Sequence, residues 1–209
     1  MRVIEHFLSL QGEGLKIGRL TYFIRAAGCN LRCSWCDTAF SHSFDQGEEM
    51  SIPDILALIG DVENVCFTGG EPLEQKGAPE LLSALVEAGK TVVLETNGSK
   101  DISVVPKSEN IIVSMDIKCP SSGMQDRMCL SNLDLLTKKD QLKFVIADRA
   151  DLDYAENFIR EHPVDTNIIF SAVGGLDLRS LAEEVVSKKL DVMVLPQLHK
   201  IIWGNKQGV

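Results

Sequence analysis

Apolar positions fall into two alternating patterns along the chain. Short runs rich in Val and Ile predict strands over 22–25, 65–68, 91–95, 111–115, 142–146, 168–171 and 192–195. Runs of this kind suit strands buried on both faces. Between them the spacing turns helical. Ser51 is placed to cap a helix, with Asp54 three residues on and Ile52, Ile55, Leu56 and Ile59 on one face. A second helix begins near Pro79, carries Leu81, Leu82, Leu85 and Val86, and ends before Gly89. Two more are predicted over 151–160 and 178–188. Alternating β and α elements imply a parallel sheet with right-handed crossovers. A complete eight-stranded barrel takes about 250 residues, more than the 209 present. The expected fold is therefore α/β, a partial, open (β/α) barrel, with residues 1–209 as a single domain. In such folds functional groups gather at the carboxyl ends of the strands. The polar and Gly-rich segments 28–38, 68–72, 96–98 and 116–122 follow predicted strands.

Composition narrows the setting. The chain is 44% hydrophobic and 24% charged, as in an ordinary globular protein. No apolar run approaches the ~20 residues of a membrane helix, so no membrane partner is expected. The N-terminus lacks the charged and apolar regions of a signal peptide, and a cytoplasmic protein is the default. A net charge of −9 argues against direct nucleic-acid binding, which phosphate neutralisation drives. It does not exclude a small anionic substrate held by a local basic site.

Cysteine usage changes the picture. Of six cysteines, Cys29, Cys33 and Cys36 crowd into one loop, Gly28-Cys29-Asn30-Leu31-Arg32-Cys33-Ser34-Trp35-Cys36-Asp37-Thr38. Three thiolates can hold three irons of a cubane and leave the fourth iron open to a ligand. A structural zinc site with His42 as fourth ligand is the plainer alternative, although recurrent zinc spacings differ. Trp35 on its own reads equally as a core aromatic.

The C-x3-C-x-aromatic-C loop after a strand resembles that of the radical S-adenosylmethionine superfamily. A second stretch, Thr68-Gly69-Gly70-Glu71-Pro72, resembles the superfamily's GGEP motif. That motif binds the amino group of S-adenosylmethionine, with glycines for close approach and carboxylate and carbonyl acceptors for an ammonium. The resemblance implies a 4Fe-4S cluster on Cys29, Cys33 and Cys36. It places Trp35, Asp37, Gly70, Glu71, Asp116 and Lys118 on the cofactor. Glu95-Thr96-Asn97-Gly98 becomes a wall of the site if the barrel reading holds. Asp116-Ile117 stands before Lys118 where many members carry Ser-Pro, which leaves contacts there open.

Further stretches resemble the 7-carboxy-7-deazaguanine synthase family: Leu8 to Gly14, Phe23 to Cys29, Lys118 to Met124, Pro196 to Lys200 and Trp203 to Val209. The resemblance implies a ring-contracting lyase that turns 6-carboxy-5,6,7,8-tetrahydropterin into 7-carboxy-7-deazaguanine with loss of ammonia, on the route to queuosine or archaeosine. It also implies Mg2+ held partly by the Thr38 hydroxyl, an electron donor such as flavodoxin or ferredoxin, and a homodimer. Backbone groups at Leu10, Gln11 and Gly12 would read the pterin edge. Arg25 supplies a planar fork for a carboxylate, and Thr68 is placed to touch the substrate. Catalysis would need no side chain beyond the cluster and the cofactor radical. Two alternatives stay open: an activase that installs a glycyl radical on a partner protein, and a non-enzymatic, zinc-stabilised adaptor.

Overall fold

The computed structural model describes residues 1–173 and 178–209. The strands are β1 (Arg2–Leu10), β2 (Leu20–Ala26), β3 (Glu48–Glu49), β4 (Asn64–Gly69), β5 (Thr91–Thr96), β6 (Ile111–Ile117), β7 (Gln141–Ile146), β8 (Asn167–Ala172) and β9 (Met193–Val194). The helices are α1 (Ile52–Ile59), α2 (Ala78–Glu87), α3 (Arg149–Glu161), α4 (Arg179–Lys188) and α5 (Leu198–Trp203). All the strands join one sheet in the order β3-β1-β2-β4-β5-β6-β7-β8-β9. Pairing is parallel from β2 through β9 and antiparallel where β1 meets β2 and β3. The ends of this order do not meet, so the barrel is open, as expected.

Local chemistry sets the helix ends. The Ser51 hydroxyl accepts from the Asp54 N–H, Pro53 lies in the first turn, and Gly60 ends α1 in the left-handed region. Asp148 caps α3 by accepting from the Asp151 N–H. Leu81, Leu82 and Leu85 of α2 are fully buried, each stabilising the fold by roughly 1.5–3 kcal/mol. Phe144 of β7 meets Phe158 of α3 and Phe170 of β8 edge-on, at 5.6 and 5.5 Å between ring centres.

Three differences from the expected elements have physical causes. Strand β1 escaped the pattern because it lies near the sheet edge, where its residues mix exposed and buried positions. A bulge between Val3 and Glu5 also interrupts its alternation. The segments before β6 and β7 form short 3-10 turns instead of crossover helices. Thirdly, the strands do not present alike faces. Val113, Met115 and Ile117 of β6 join the apolar core under the helices. Asp116, between them in sequence, lines the opposite, concave face. Period-two alternation sorts β4, β5 and β7 likewise. Thr68, Glu95 and Lys143 face inward, and Phe67, Leu94 and Phe144 face the helices.

Candidate active site

The concave face encloses a cavity of about 340 Å³. It collects nearly every residue expected of a site: Leu10, Gln11, Gly12, Arg25, Cys29, Cys33, Trp35, Cys36, Asp37, Thr38, Thr68, Gly70, Asp116 and Lys118. Glu71 is the exception. It is fully buried and does not line the cavity. Its carboxylate accepts from the Asn97 N–H at 2.6 Å, the Thr96 hydroxyl at 2.9 Å and the Leu73 N–H at 3.1 Å. Burial pushes this carboxyl up to about 7 against the pull of those donors. In this structure Glu71 braces the turn after β5, and Gly69 and Gly70 are the members of the motif that face the cavity.

The cysteine loop is seated on that glycine pair. Glu71 N–H donates to the Gly28 carbonyl at 2.8 Å. A Cβ on Gly70 would lie 2.4 Å from the Gly28 oxygen and 2.7 Å from the Cys29 Cβ, so only glycine permits the approach. Gly28 itself holds φ +90°. Cys29 is buried, and its sulfur takes N–H donors from Leu31 at 3.4 Å and Asn97 at 3.7 Å. Burial pushes the Cys29 and Cys33 thiols up, and the Lys118 ammonium opposes this at Cys33. Donors and a cation beside thiols are what a thiolate-held cluster requires, so the residues fit the group. One tetrahedral ion, with metal–sulfur bonds of about 2.3 Å, needs its sulfurs within ~4 Å of one another. Among the described residues no three His, Cys, Asp or Glu side chains gather as such a single-ion site; a cubane spreads its thiolates wider.

Beyond the cysteines, charge dominates. Lys143 is 7% exposed at its side chain and lies 2.6 Å from Glu13, 3.4 Å from Asp116 and 3.6 Å from Glu95. Burial alone would lower Lys143, but its acidic neighbours hold it well above the usual lysine value. Burial likewise acts against the charge of Asp116, yet Lys118 and Lys143 hold that carboxyl below its ordinary range. Glu13 is also held low, by Lys143 in direct contact, whereas burial keeps the more distant Glu95 raised. Lys118 donates to Asp116 at 2.6 Å and lies 5.7 Å from the centre of the Trp35 ring. Arg25 Nε donates to Glu5 at 2.7 Å across the β1–β2 pair.

The N–H groups at Gln11 and Gly12, expected to read the pterin edge, have partners within the protein. Gln11 N–H donates to Arg19, Gly12 N–H donates to the Gln11 side chain, and the Gly12 carbonyl accepts from Leu198. The segment is a closed turn that presents the Gln11 side chain, which reaches Glu95 at 3.5 Å.

Sequence reasoning gave Glu13, Lys143, Gln197 and His199 no individual role, although all line the cavity. Lys143 carried a signal, a charge inside the apolar run Leu142-Lys143-Phe144-Val145. Gln197 and His199 carried only their place in the family-like stretch Pro196 to Lys200: they come from the C-terminal segment, and Gln197 meets Glu13 at 2.7 Å. Gly12 makes room there, since a Cβ would lie 2.1 Å from His199 Nδ1.

Residues 23–132, from β2 past the cysteine loop to beyond β6, match the family described as the Radical SAM superfamily. With three cysteines and a glycine pair at the strand ends of an open barrel, the chain is of the radical S-adenosylmethionine class. That class works with a 4Fe-4S cluster and S-adenosylmethionine. Over its whole length the chain is 40% identical to the 7-carboxy-7-deazaguanine synthase of Thermoplasma acidophilum, covering all of that protein. It is 42% identical, again over its whole length, to the one from Clostridium acetobutylicum, covering 99% of it. The crystal structure of QueE from Escherichia coli shares the fold, with a TM-score of 0.74 over 93% of each chain at 22% identity. The chain belongs to the 7-carboxy-7-deazaguanine synthase family. This membership sets aside the glycyl-radical activase and the zinc-stabilised adaptor. No helix among the described residues is long and apolar enough to cross a membrane.

Proposed function

We propose that this protein converts 6-carboxy-5,6,7,8-tetrahydropterin into 7-carboxy-7-deazaguanine, releasing ammonia. The observation that carries the reading is that one cavity is lined both by Cys29, Cys33 and Cys36 and by Arg25, Glu95 and Lys143. When bound, the cluster and S-adenosylmethionine supply a carbon radical able to take a hydrogen atom from the substrate.

The chain's own residues divide between the two halves. Cys29, Cys33 and Cys36 hold the cluster. Trp35, Asp37, Gly70, Asp116 and Lys118 form the S-adenosylmethionine side, with Glu71 supporting it from behind. On the substrate side, Arg25 spends Nε on Glu5 and turns its terminal nitrogens to the substrate carboxylate. Gln11, Thr68 and Glu95 offer donors and acceptors suited to a pterin edge. Lys143 offsets part of the carboxylate charge at Glu13, Glu95 and Asp116, which lessens the repulsion an anionic substrate meets. The Thr38 hydroxyl supplies one oxygen for Mg2+, which favours oxygen ligands and would take others from the substrate carboxylate and water.

Three broader parts of the reading go with it. The electron comes from a small redox protein such as flavodoxin or ferredoxin. The chain works as a homodimer in the cytoplasm, and the exposed Leu8 and Leu20 on the β1–β2 hairpin support self-association. The product feeds deazapurine modification of tRNA. Anaerobic incubation of the iron-loaded chain with the carboxytetrahydropterin, S-adenosylmethionine and a reductant tests the core claim. The ring-contracted product and ammonia are expected in equal amounts; cofactor cleavage without either would remove the substrate assignment.

A further inference from the structure

Asp151 sits in the first turn of α3, lines no part of the cavity and is fully buried. Its carboxylate accepts from the Ser121 N–H at 2.9 Å, the Ser121 hydroxyl at 2.5 Å and the Ala147 N–H at 2.9 Å. A hydroxyl has one proton. Once Ser121 gives it to Asp151, the Ser121 oxygen can only accept from its other neighbour. That neighbour is the Trp35 indole, whose Nε1–H donates to it at 2.9 Å. The same turn fixes the residue before Trp35. Ser34 Oγ donates to the Ser121 carbonyl at 2.5 Å and Ser34 N–H to the Ser122 carbonyl at 3.1 Å. Trp35 is itself next to Cys36 and lines the cavity.

We infer that Asp151 is a positioning residue for the cofactor half of the site, acting through Ser121 to set the orientation of Trp35. The inference rests on the reading that Trp35 forms a wall of the S-adenosylmethionine side. The chain of bonds runs one way, indole to hydroxyl to carboxylate, and each bond polarises the next. A carboxylate that accepts from three donors makes the far link the stronger kind. Residues 34–35, 121 and 151 are remote in sequence, so the loop that carries Cys33 and Cys36 is tied to the opposite part of the sheet. Among the described residues the charged groups of the substrate half bond away from this relay, Arg25 to Glu5 and Glu95 to Gln11 and Lys143. A defect in it should therefore fall on one ligand only.

The test uses the full chain, iron-loaded for ligand binding, and five variants, of which three probe the relay singly. In Asp151→Asn the amide turns a donor toward a donor; in Ser121→Ala the indole loses its acceptor; Ser121→Thr keeps the oxygen. Asp151→Asn and Ser121→Ala are expected to weaken S-adenosylmethionine binding about three- to tenfold by equilibrium dialysis. Iron content and the KM for the pterin should stay as in the wild type, and Ser121→Thr should restore binding. The double variant should be no weaker than Ser121→Ala alone. In 15N-tryptophan-labelled chain the Trp35 indole N–H signal should shift in both variants while that of Trp203 stays. Unchanged cofactor affinity in Ser121→Ala, or equal weakening of both ligands, would overturn the inference. If Asp151→Asn does not fold, the Ser121 pair decides alone. Trp35→Phe separates the two layers. No change in cofactor binding on that substitution refutes the placement of Trp35 itself. A loss there, with none in Ser121→Ala and Asp151→Asn, refutes only the relay.

Discussion

Arg25, proposed above to take the substrate carboxylate, is held in place by its neighbours. Glu5 fixes Nε at 2.7 Å, and the guanidinium lies 6.0 Å from the centre of the Phe40 ring. The fork is held before substrate arrives, so little rotamer entropy is lost on binding. Arg25→Ala is expected to raise the pterin KM roughly tenfold or more, with cofactor cleavage in the absence of substrate little changed. Steady-state kinetics in both modes check this; equal loss of the two would assign Arg25 to structure. Cys33→Ala removes a thiolate beside Lys118. It should lower bound iron to near zero and abolish the brown absorbance, read by iron assay and spectrum, and retention of four irons per chain would remove Cys33 from the ligand set. Both residues were legible in the sequence because their chemistry is rare there: an arginine in an apolar strand, and thiols at close spacing. Lys143 was as visible but its partners were not, since Glu13 and Asp116 stand far from it along the chain.

At the scale of elements, the site depends on two loops that can touch only because a side chain is missing. Gly70 lies against the backbone of Gly28 and the Cβ of Cys29. Gly70→Ala should displace the cysteine loop, since the nearest atom is a backbone oxygen that cannot swing aside. Cluster occupancy should fall several-fold and the melting temperature by a few degrees, a loss of about 1–3 kcal/mol. Normal iron loading in this variant would mean that the loops move independently. The predicted strands β2, β4, β5, β6, β7 and β8 all form, because Val and Ile runs covered by helices leave little choice. The N-terminal strand β1 was not legible: near the edge, a strand answers to solvent on part of its length and its pattern blurs. The inward row was not legible either. Glu95 and Lys143 read as interruptions of apolar runs until the sheet curves and gives them a shared face.

For the molecule as a whole, buried Lys143 is the shared partner of three half-buried carboxylates drawn from the N-terminal loop, β5 and β6. Lys143→Met should cost about 3–5 kcal/mol at neutral pH, the usual range for a buried charge left without its partner. The sign of the pH dependence follows. Without the ammonium, Glu13, Glu95 and Asp116 acquire raised values when folded, so the folded variant binds more protons than the unfolded chain. Its stability therefore rises as pH falls from 7 toward 5, and the gap to the wild type narrows. Urea melts of both proteins at the two pH values measure this; a gap that is constant or widens would show that the cluster is held together by something other than charge. What the sequence determined by itself is whatever is local or chemically rare: helix caps, the apolar runs of the parallel strands, the cysteine spacing, the glycine pair. These need only neighbours along the chain, or a chemistry that few other patterns imitate. The tertiary structure alone decided which polar groups face one another. It set the Glu71 carboxylate against Thr96 and Asn97, gave the Gln11 and Gly12 N–H groups partners within the chain, and brought Gln197 and His199 to Glu13. Such pairings depend on the curvature of the sheet and on contacts between separate elements, as far as 184 positions apart at Glu13 and Gln197, and no local pattern encodes either.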